Sequence, residues 1–403
     1  MTEALTLPGI RRGTITVLSF ACGIAVANVY IVQPLLASIA RDFAVSEGTA
    51  GLVATAAQIG YALGIGLVVP LADTASLRRL AFVLPAITAA ALFLGALAPS
   101  ASLLALITGI LAVTTVLPQI IMPTAAALAA PGRSGRVVGA VSTGLILGIL
   151  LSRVVSGALA ELSGSWRTPF AVAGVLTAGL AVLLPPFMPA RGGAAGDRLS
   201  YGALLASLPG LFRDHAAIRL SALLGASVFA AFAAFWSTLA FHLAAAPYHL
   251  GPAYAGLFGL LGAPGALLAP LAGRLSDRHG SHAANLVGLV CVAAAFLAFA
   301  AFGSHSLLAI VIGCNLLDCG VQSGQIANQA RIFALGAAFR GRVNTIYMVC
   351  VFSGGAVGSL VGVNAYGAFG WAGVCAAGAG FIAIAAAGLA AGWRGQARRP
   401  EAL

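Results

Sequence analysis

This chain of 403 residues contains no lysine, and charge is scarce altogether: 21 arginines and 10 acidic residues make up 8% of it. A soluble domain carries about a quarter charged residues, so that class is excluded. Histidine is limited to His215, His242, His249, His279, His282 and His305, scattered over loops and the ends of apolar runs. An integral-membrane enzyme needs His, Asp or Cys clustered on one face; without such a cluster, no catalytic role, metal or cofactor is expected. The six cysteines (Cys22, Cys291, Cys314, Cys319, Cys350, Cys375) all fall inside apolar runs, without metal spacing or a loop to host disulfides, and read as small packing residues. There is no nucleotide-binding P-loop, which removes ATP-driven pumping within this chain. No loop gathers arginines and aromatics into a platform, so the net charge of +11 does not point to nucleic acid.

What the chain has in excess is apolar length. It is 60% hydrophobic with a mean hydropathy of +1.02, the composition of a polytopic membrane protein. A helix crosses a bilayer with about 20 apolar residues, and punctuation by turns and charges divides the chain into twelve such runs: 14–37, 49–71, 80–98, 102–126, 137–160, 169–189, 216–243, 253–273, 283–303, 307–333, 343–366 and 372–393. Hydrocarbon offers backbone groups no water to bond, and the runs are too long for barrel strands, so helices are expected throughout. The expectation is an all-α protein of twelve transmembrane helices, monomeric, with the lipid bilayer as its surroundings.

Eighteen arginines, all but Arg41, Arg153 and Arg167, lie in the tails, in alternate loops or beside them. The positive-inside rule then places both termini in the cytoplasm, across a cytoplasmic (inner) membrane. The first run is long enough to span and lacks a small-residue cleavage site, so it is expected to serve as its own targeting signal.

An internal repeat divides the chain. Ala50-Gly51-Leu52 returns as Ala255-Gly256-Leu257, Gly135-Arg136-Val137 as Gly341-Arg342-Val343, and Trp166 as Trp371, at offsets of 205, 206 and 205. A near-constant shift of half the length means two six-helix halves: 1–189, a polar cytoplasmic linker at 190–215, and 216–403.

Two charges sit where apolar runs should tolerate them least. Arg153 lies within Leu147–Gly157 and Asp318 within Ile312–Gln325. An Asp or Arg at the centre of a membrane helix costs about 2.5–3.5 kcal/mol on insertion scales, so such residues face protein-lined cavities and serve ion or substrate movement. Around Asp318 the residues Asn315, Gln322, Gln325 and Gln329 recur at steps of 3 and 4, which puts them on one helical stripe. The stripe faces a wet cavity or bonds neighbouring helices; the carboxylate favours the cavity, because it can exchange a proton whereas an amide cannot. Further cavity candidates are Asn28, Tyr30 and Gln33 before Pro34, Gln58 and Tyr61 one turn apart, Gln119 between Pro118 and Pro123, and Phe232, Phe235, Trp236 and His242 in the seventh run. Proline breaks free backbone carbonyls near transporter sites, and the aromatics suit a substrate with an apolar or planar part.

The stretch Gly273-Arg-Leu-Ser-Asp277-Arg278-His-Gly280 matches the cytoplasmic loop signature of the major facilitator superfamily, which the chain resembles over essentially its whole length. The first-half counterpart, Val69 to Arg79, keeps Asp73, Arg78 and Arg79 but has Val, Thr and Ser where the family has Gly, Arg and Gly. The resemblance implies that these loops gate the cytoplasmic side. The fifth run is similar to the glycine motif of the family's antiporters at Gly139, Gly148 and Gly157, with Ser152, Arg153 and Ser156 replacing Gly, Pro and Gly; Gly354, Gly358 and Gly362 echo it in the second half. Small residues at this spacing also pack helices closely without any coupling role. The resemblance implies a proton-coupled transporter working by alternating access, exporting a small amphipathic molecule. Import of a small anionic metabolite, with Arg153 holding its acid group, is the rival reading.

Overall fold

The computed structural model describes residues 12–130, 133–190, 200–262, 264, 269–336 and 339–397, and the described residues form helices without strands. The helices are α1 (Arg12–Tyr30), α2 (Leu36–Asp42), α3 (Glu47–Leu63), α4 (Leu77–Ala96), α5 (Ala101–Thr114), α6 (Leu117–Leu128), α7 (Ser134–Ser163), α8 (Arg167–Leu183), α9 (Tyr201–Asp214), α10 (Ala216–Ala244), α11 (Pro252–Leu261), α12 (Ala269–Phe302), α13 (Leu307–Phe333) and α14 (Arg340–Ala397). Nine helical stretches among the described residues are long and apolar enough to cross a membrane. With the shorter apolar α8 and α11, and with α14 broken in two at Gly370 (φ 58°), the bundle is consistent with twelve crossings. Large apolar side chains such as Phe20, Val182 and Leu297, each about 70% exposed, cover the outside. A surface of that kind belongs in lipid.

Several expected runs are broken by chemistry visible in the sequence. Pro34 cannot donate into a helical ladder, and α1 gives way to a 3-10 turn at Gln33–Leu35 before α2 resumes. The fourth run divides at Thr115–Val116 just before Pro118, and at the break the Thr115 hydroxyl donates to the Ala25 carbonyl of α1 at 2.7 Å. Within the span expected to be a linker, Tyr201–Asp214 folds as α9, capped by Ser200; residues 191–199 lie outside the described residues. Helix α9 is tied to both halves: the Tyr201 hydroxyl donates to the Leu67 carbonyl at 2.8 Å and Arg342 donates to Ser207 at 3.3 Å.

Small residues set which helices pair. Gly144 and Gly148 of α7 lie on Ser19 and Gly23 of α1, where any β-carbon would overlap the facing backbone; Gly354 and Gly358 of α14 lie on Ala226 and Ala230 of α10 in the same manner. The two pairs occupy matching places in the repeat. Across the halves, Gly157 and Gly256 close α7 against α11, and Gly51 closes α3 against Val363 of α14.

Candidate functional site

The break at Pro34 turns Gln33 into the bundle, where it is buried and its Oε1 accepts from Arg153 Nε at 2.7 Å. Arg153 itself is 2% exposed. Its guanidinium carbon lies 3.8 Å from the centroid of the Trp236 ring and 5.0 Å from that of Tyr30, distances at which the ring quadrupoles attract a cation. Arg153 is therefore held by Tyr30 and Gln33 from its own half and by Trp236 from the other. Its Nη2 has no hydrogen-bond partner among the described residues, nor does Trp236 Nε1.

Asp318 approaches the same place from α13. Three glycines on one face of α11 and its end make room for both charges: Gly256 lies on the Arg153 carbonyl, Gly259 on the Arg153 stem with 2.8 Å to its Cδ from where a β-carbon would stand, and Gly262 on Asp318 with 2.5 Å to Oδ2 by the same measure. Asn315, one turn from Asp318, donates to the Leu261 carbonyl at 2.8 Å and so ties α13 to the end of α11. Arg153 and Asp318 interact electrostatically but form no ion pair within 4.0 Å. The two charges come from α7 and α13 and sit along one face of α11. The glycine stripe on α11 is missing from the sequence expectations, although the steps of three at Gly256, Gly259 and Gly262 were its signal.

Aromatic rings extend from this pair in both directions along α10. Trp236 packs with Phe232 at 6.0 Å and Phe235 at 5.3 Å; Phe232 stacks on Phe229 at 5.2 Å, Phe229 meets Phe352 at 5.1 Å, and Phe352 meets Tyr61 at 4.5 Å. In the other direction Phe235 stacks on Phe299 at 4.4 Å, and at the helix end His242 stacks on Trp371 at 4.0 Å while its Nε2 bonds the Gly303 carbonyl at 2.8 Å.

The remaining candidates divide between the cavity and neighbouring helices. Gln58 is buried beside Gly355, with an unpartnered Oε1, and Gln119 is half-buried in the first turn of α6. Gln325 lines a pocket of ≈ 20 Å³ with Phe229, Asn328 and Tyr347. Gln322 is half-buried on the same stripe. Asn28, by contrast, donates to Thr177 of α8 at 3.1 Å, and Gln329 to Asn344 of α14 at 3.3 Å, so both amides tie helices together.

The loop carrying Asp73, Arg78 and Arg79 is exposed, and Arg78 Nε donates to the Met188 carbonyl at 2.9 Å. In the second loop Arg278 is exposed and Gly280 takes φ 80°, where α12 kinks; the side chains at Gly273 and Asp277 lie outside the described residues. At the opposite end of the bundle two contacts stand that sequence reasoning missed. Asp42 accepts from Arg167 and from Trp166 Nε1 at 2.9 Å. Glu161, at the end of α7, accepts from the Ala253 amide at 3.0 Å and so caps the first turn of α11 across the two halves.

The sequence model of the Major Facilitator Superfamily matches residues 18–333. The chain is 42% identical over 388 residues, 96% of its length and 97% of its relative's, to "Uncharacterized transporter YgaY" of Escherichia coli O157:H7. It is 33% identical over 384 residues, 95% of its length and 86% of its relative's, to "Probable transporter SCO4007" of Streptomyces coelicolor. Among solved structures it is similar to the peptide transporter POT in complex with sulfate, with a TM-score of 0.75 at 15% identity over 96% of this chain and 97% of that one. It is also similar to a bacterial homologue of the human lysosomal transporter Spinster in an inward-facing, unoccupied conformation, with a TM-score of 0.68 at 16% identity over 97% and 95%. At those identities the likeness shows the fold. From the family match, the transporter relatives and the shared fold together, the chain belongs to the Major Facilitator Superfamily, whose members carry molecules across membranes and are not enzymes.

Proposed function

We propose that the protein is a proton-coupled secondary transporter of a small amphipathic molecule, alternating access across the cytoplasmic membrane with both termini in the cytoplasm. The observation that carries this reading is the placement of Arg153 and Asp318 on opposite halves, near enough to interact and not in contact. Movement of the halves alters how well each charge compensates the other. A proton on Asp318 can therefore be gained on one side of the membrane and lost on the other. Besides deeper contacts such as Tyr61 with Phe352, the halves are joined by Glu161 to Ala253, Gly157 to Pro252 and Thr55 to Ser359 at 3.0 Å, which lie toward the ends that face outside under this topology. They support an outward-sealed arrangement.

Direction divides on two observations. The similarity of α7 to the glycine motif of antiporters favours efflux. The unpartnered donors on Arg153 and Trp236 favour import of an anion, since an anion on Arg153 and a proton on Asp318 balance each other's charge and travel together. Purified protein in liposomes with an internal pH indicator tests the proposal. Substrate addition is expected to move protons, acidifying the lumen for symport and alkalinising it for exchange with luminal protons; substrate flux with no proton movement in either sense refutes coupling.

A further inference from the structure

Two buried hydrogen-bond donors lack an acceptor at one spot. Arg153 Nη2 and Trp236 Nε1 are unpartnered among the described residues, although each residue is only 2% exposed. Both residues line a pocket of ≈ 10 Å³ whose other walls are Gln33, Pro34, Leu239, Ala240 and Ala255. That volume suits a single oxygen-sized group. Burying a donor without an acceptor is costly, most of all on a guanidinium. The rest of the group is oriented from two sides: Nε is on Gln33, and the guanidinium lies over Trp236 and near Tyr30.

The identity of the missing acceptor follows from the walls. No carboxylate lines the pocket, and Asp318 forms no ion pair with Arg153 within 4.0 Å, so the Arg153 Nη2 donor is open to a ligand. A water there would accept from both donors and could donate to the second lone pair of Gln33 Oε1, but it brings no charge to set against the buried guanidinium, whereas an anion does. A doubly charged phosphate would find one cation and four apolar walls. We propose that this pocket is the head-group subsite of a small organic monoanion, a carboxylate with one oxygen accepting from both Arg153 Nη2 and Trp236 Nε1. The inference rests on the transport reading above and names the substrate class of that site.

The test titrates the full-length purified protein in detergent with benzoate, 2-naphthoate and hexanoate, against benzamide and benzylamine as neutral and cationic counterparts, reading melting temperature and calorimetric affinity. At least one carboxylate is expected to raise the melting temperature saturably while the amide and the amine do not. Trp236→Phe keeps the ring and removes the N–H, and is expected to weaken that carboxylate roughly tenfold; Arg153→Gln is expected to abolish its binding. Should Arg153→Gln fail to fold by gel filtration and circular dichroism, Trp236→Phe decides. No response to any carboxylate, an equal response to benzamide, or a carboxylate response indifferent to Trp236→Phe overturns the proposal and leaves the pocket to water. Carboxylate binding without proton-linked flux in wild-type liposomes keeps the subsite and overturns the coupling reading. Proton-linked flux of another compound with no carboxylate binding does the reverse.

Discussion

Arg153 meets Gln33, Tyr30 and Trp236 at one place, and its chemistry is not interchangeable with lysine. The planar fork donates from Nε to Gln33 while lying flat over Trp236; an ammonium keeps the charge but neither the fork nor the stacking. Arg153→Lys is expected to retain the fold and lower substrate affinity by about 1–3 kcal/mol, the range for a lost charge-assisted hydrogen bond, as read by a binding isotherm. A double-mutant cycle with Asp318→Asn then separates joint from independent action. Coupling of about 0.5–3 kcal/mol is expected for residues in one network, and strict additivity would show that the two charges act apart. The presence of both charges was legible in the sequence because an apolar run makes a charge conspicuous. Their partners were not: nothing in the spacing of Gln33 and Trp236 says that they meet Arg153 from the turn after α1 and from α10, since that meeting depends on the break at Pro34 and on how the helices dock.

At the level of helices, glycines decide which pairs approach. The fifth run carries several, and the structure distinguishes them: Gly148 lies on the backbone of Gly23, whereas nothing stands within 4 Å of the place a β-carbon would take at Gly139. Gly139→Ala is therefore expected to change stability by less than about 0.5 kcal/mol, as surface substitutions do. Gly256→Val drives a branched side chain into the Arg153 carbonyl, and a cost of about 1–3 kcal/mol from overpacking is expected together with loss of transport. Melting temperatures in one detergent check both; equal melting temperatures for the two variants would contradict the packing account. Helix existence was readable from apolar length at the nine described stretches long enough to span, because lipid leaves the backbone no alternative. The breaks at Gln33–Leu35 and Thr115–Val116 were signalled by Pro34 and Pro118. The α11 glycine face went unread because steps of three in a short helix resemble ordinary small-residue packing until Arg153 and Asp318 are seen against it.

For the whole molecule, the repeat seen as offsets of 205 and 206 places equivalent glycines, Gly51 and Gly256, at the two junctions between halves. These junctions and the Glu161 cap on α11 lie toward one end of the bundle. Glu161→Gln removes a carboxylate from a helix N-terminus, an interaction of about 0.3–1 kcal/mol at an exposed site. The sealed population is expected to fall up to roughly fivefold, read by spin-label distances between the outer ends of α7 and α11; unchanged distances would leave that contact without a role in closure. The central claim, that Asp318 carries the proton whose movement drives transport, is tested most directly by accumulation of substrate in proteoliposomes under an imposed pH gradient, wild type against Asp318→Asn. The account predicts that the variant loses gradient-driven accumulation while still inserting into membrane and binding substrate. Accumulation equal to wild type at the same gradient would contradict it.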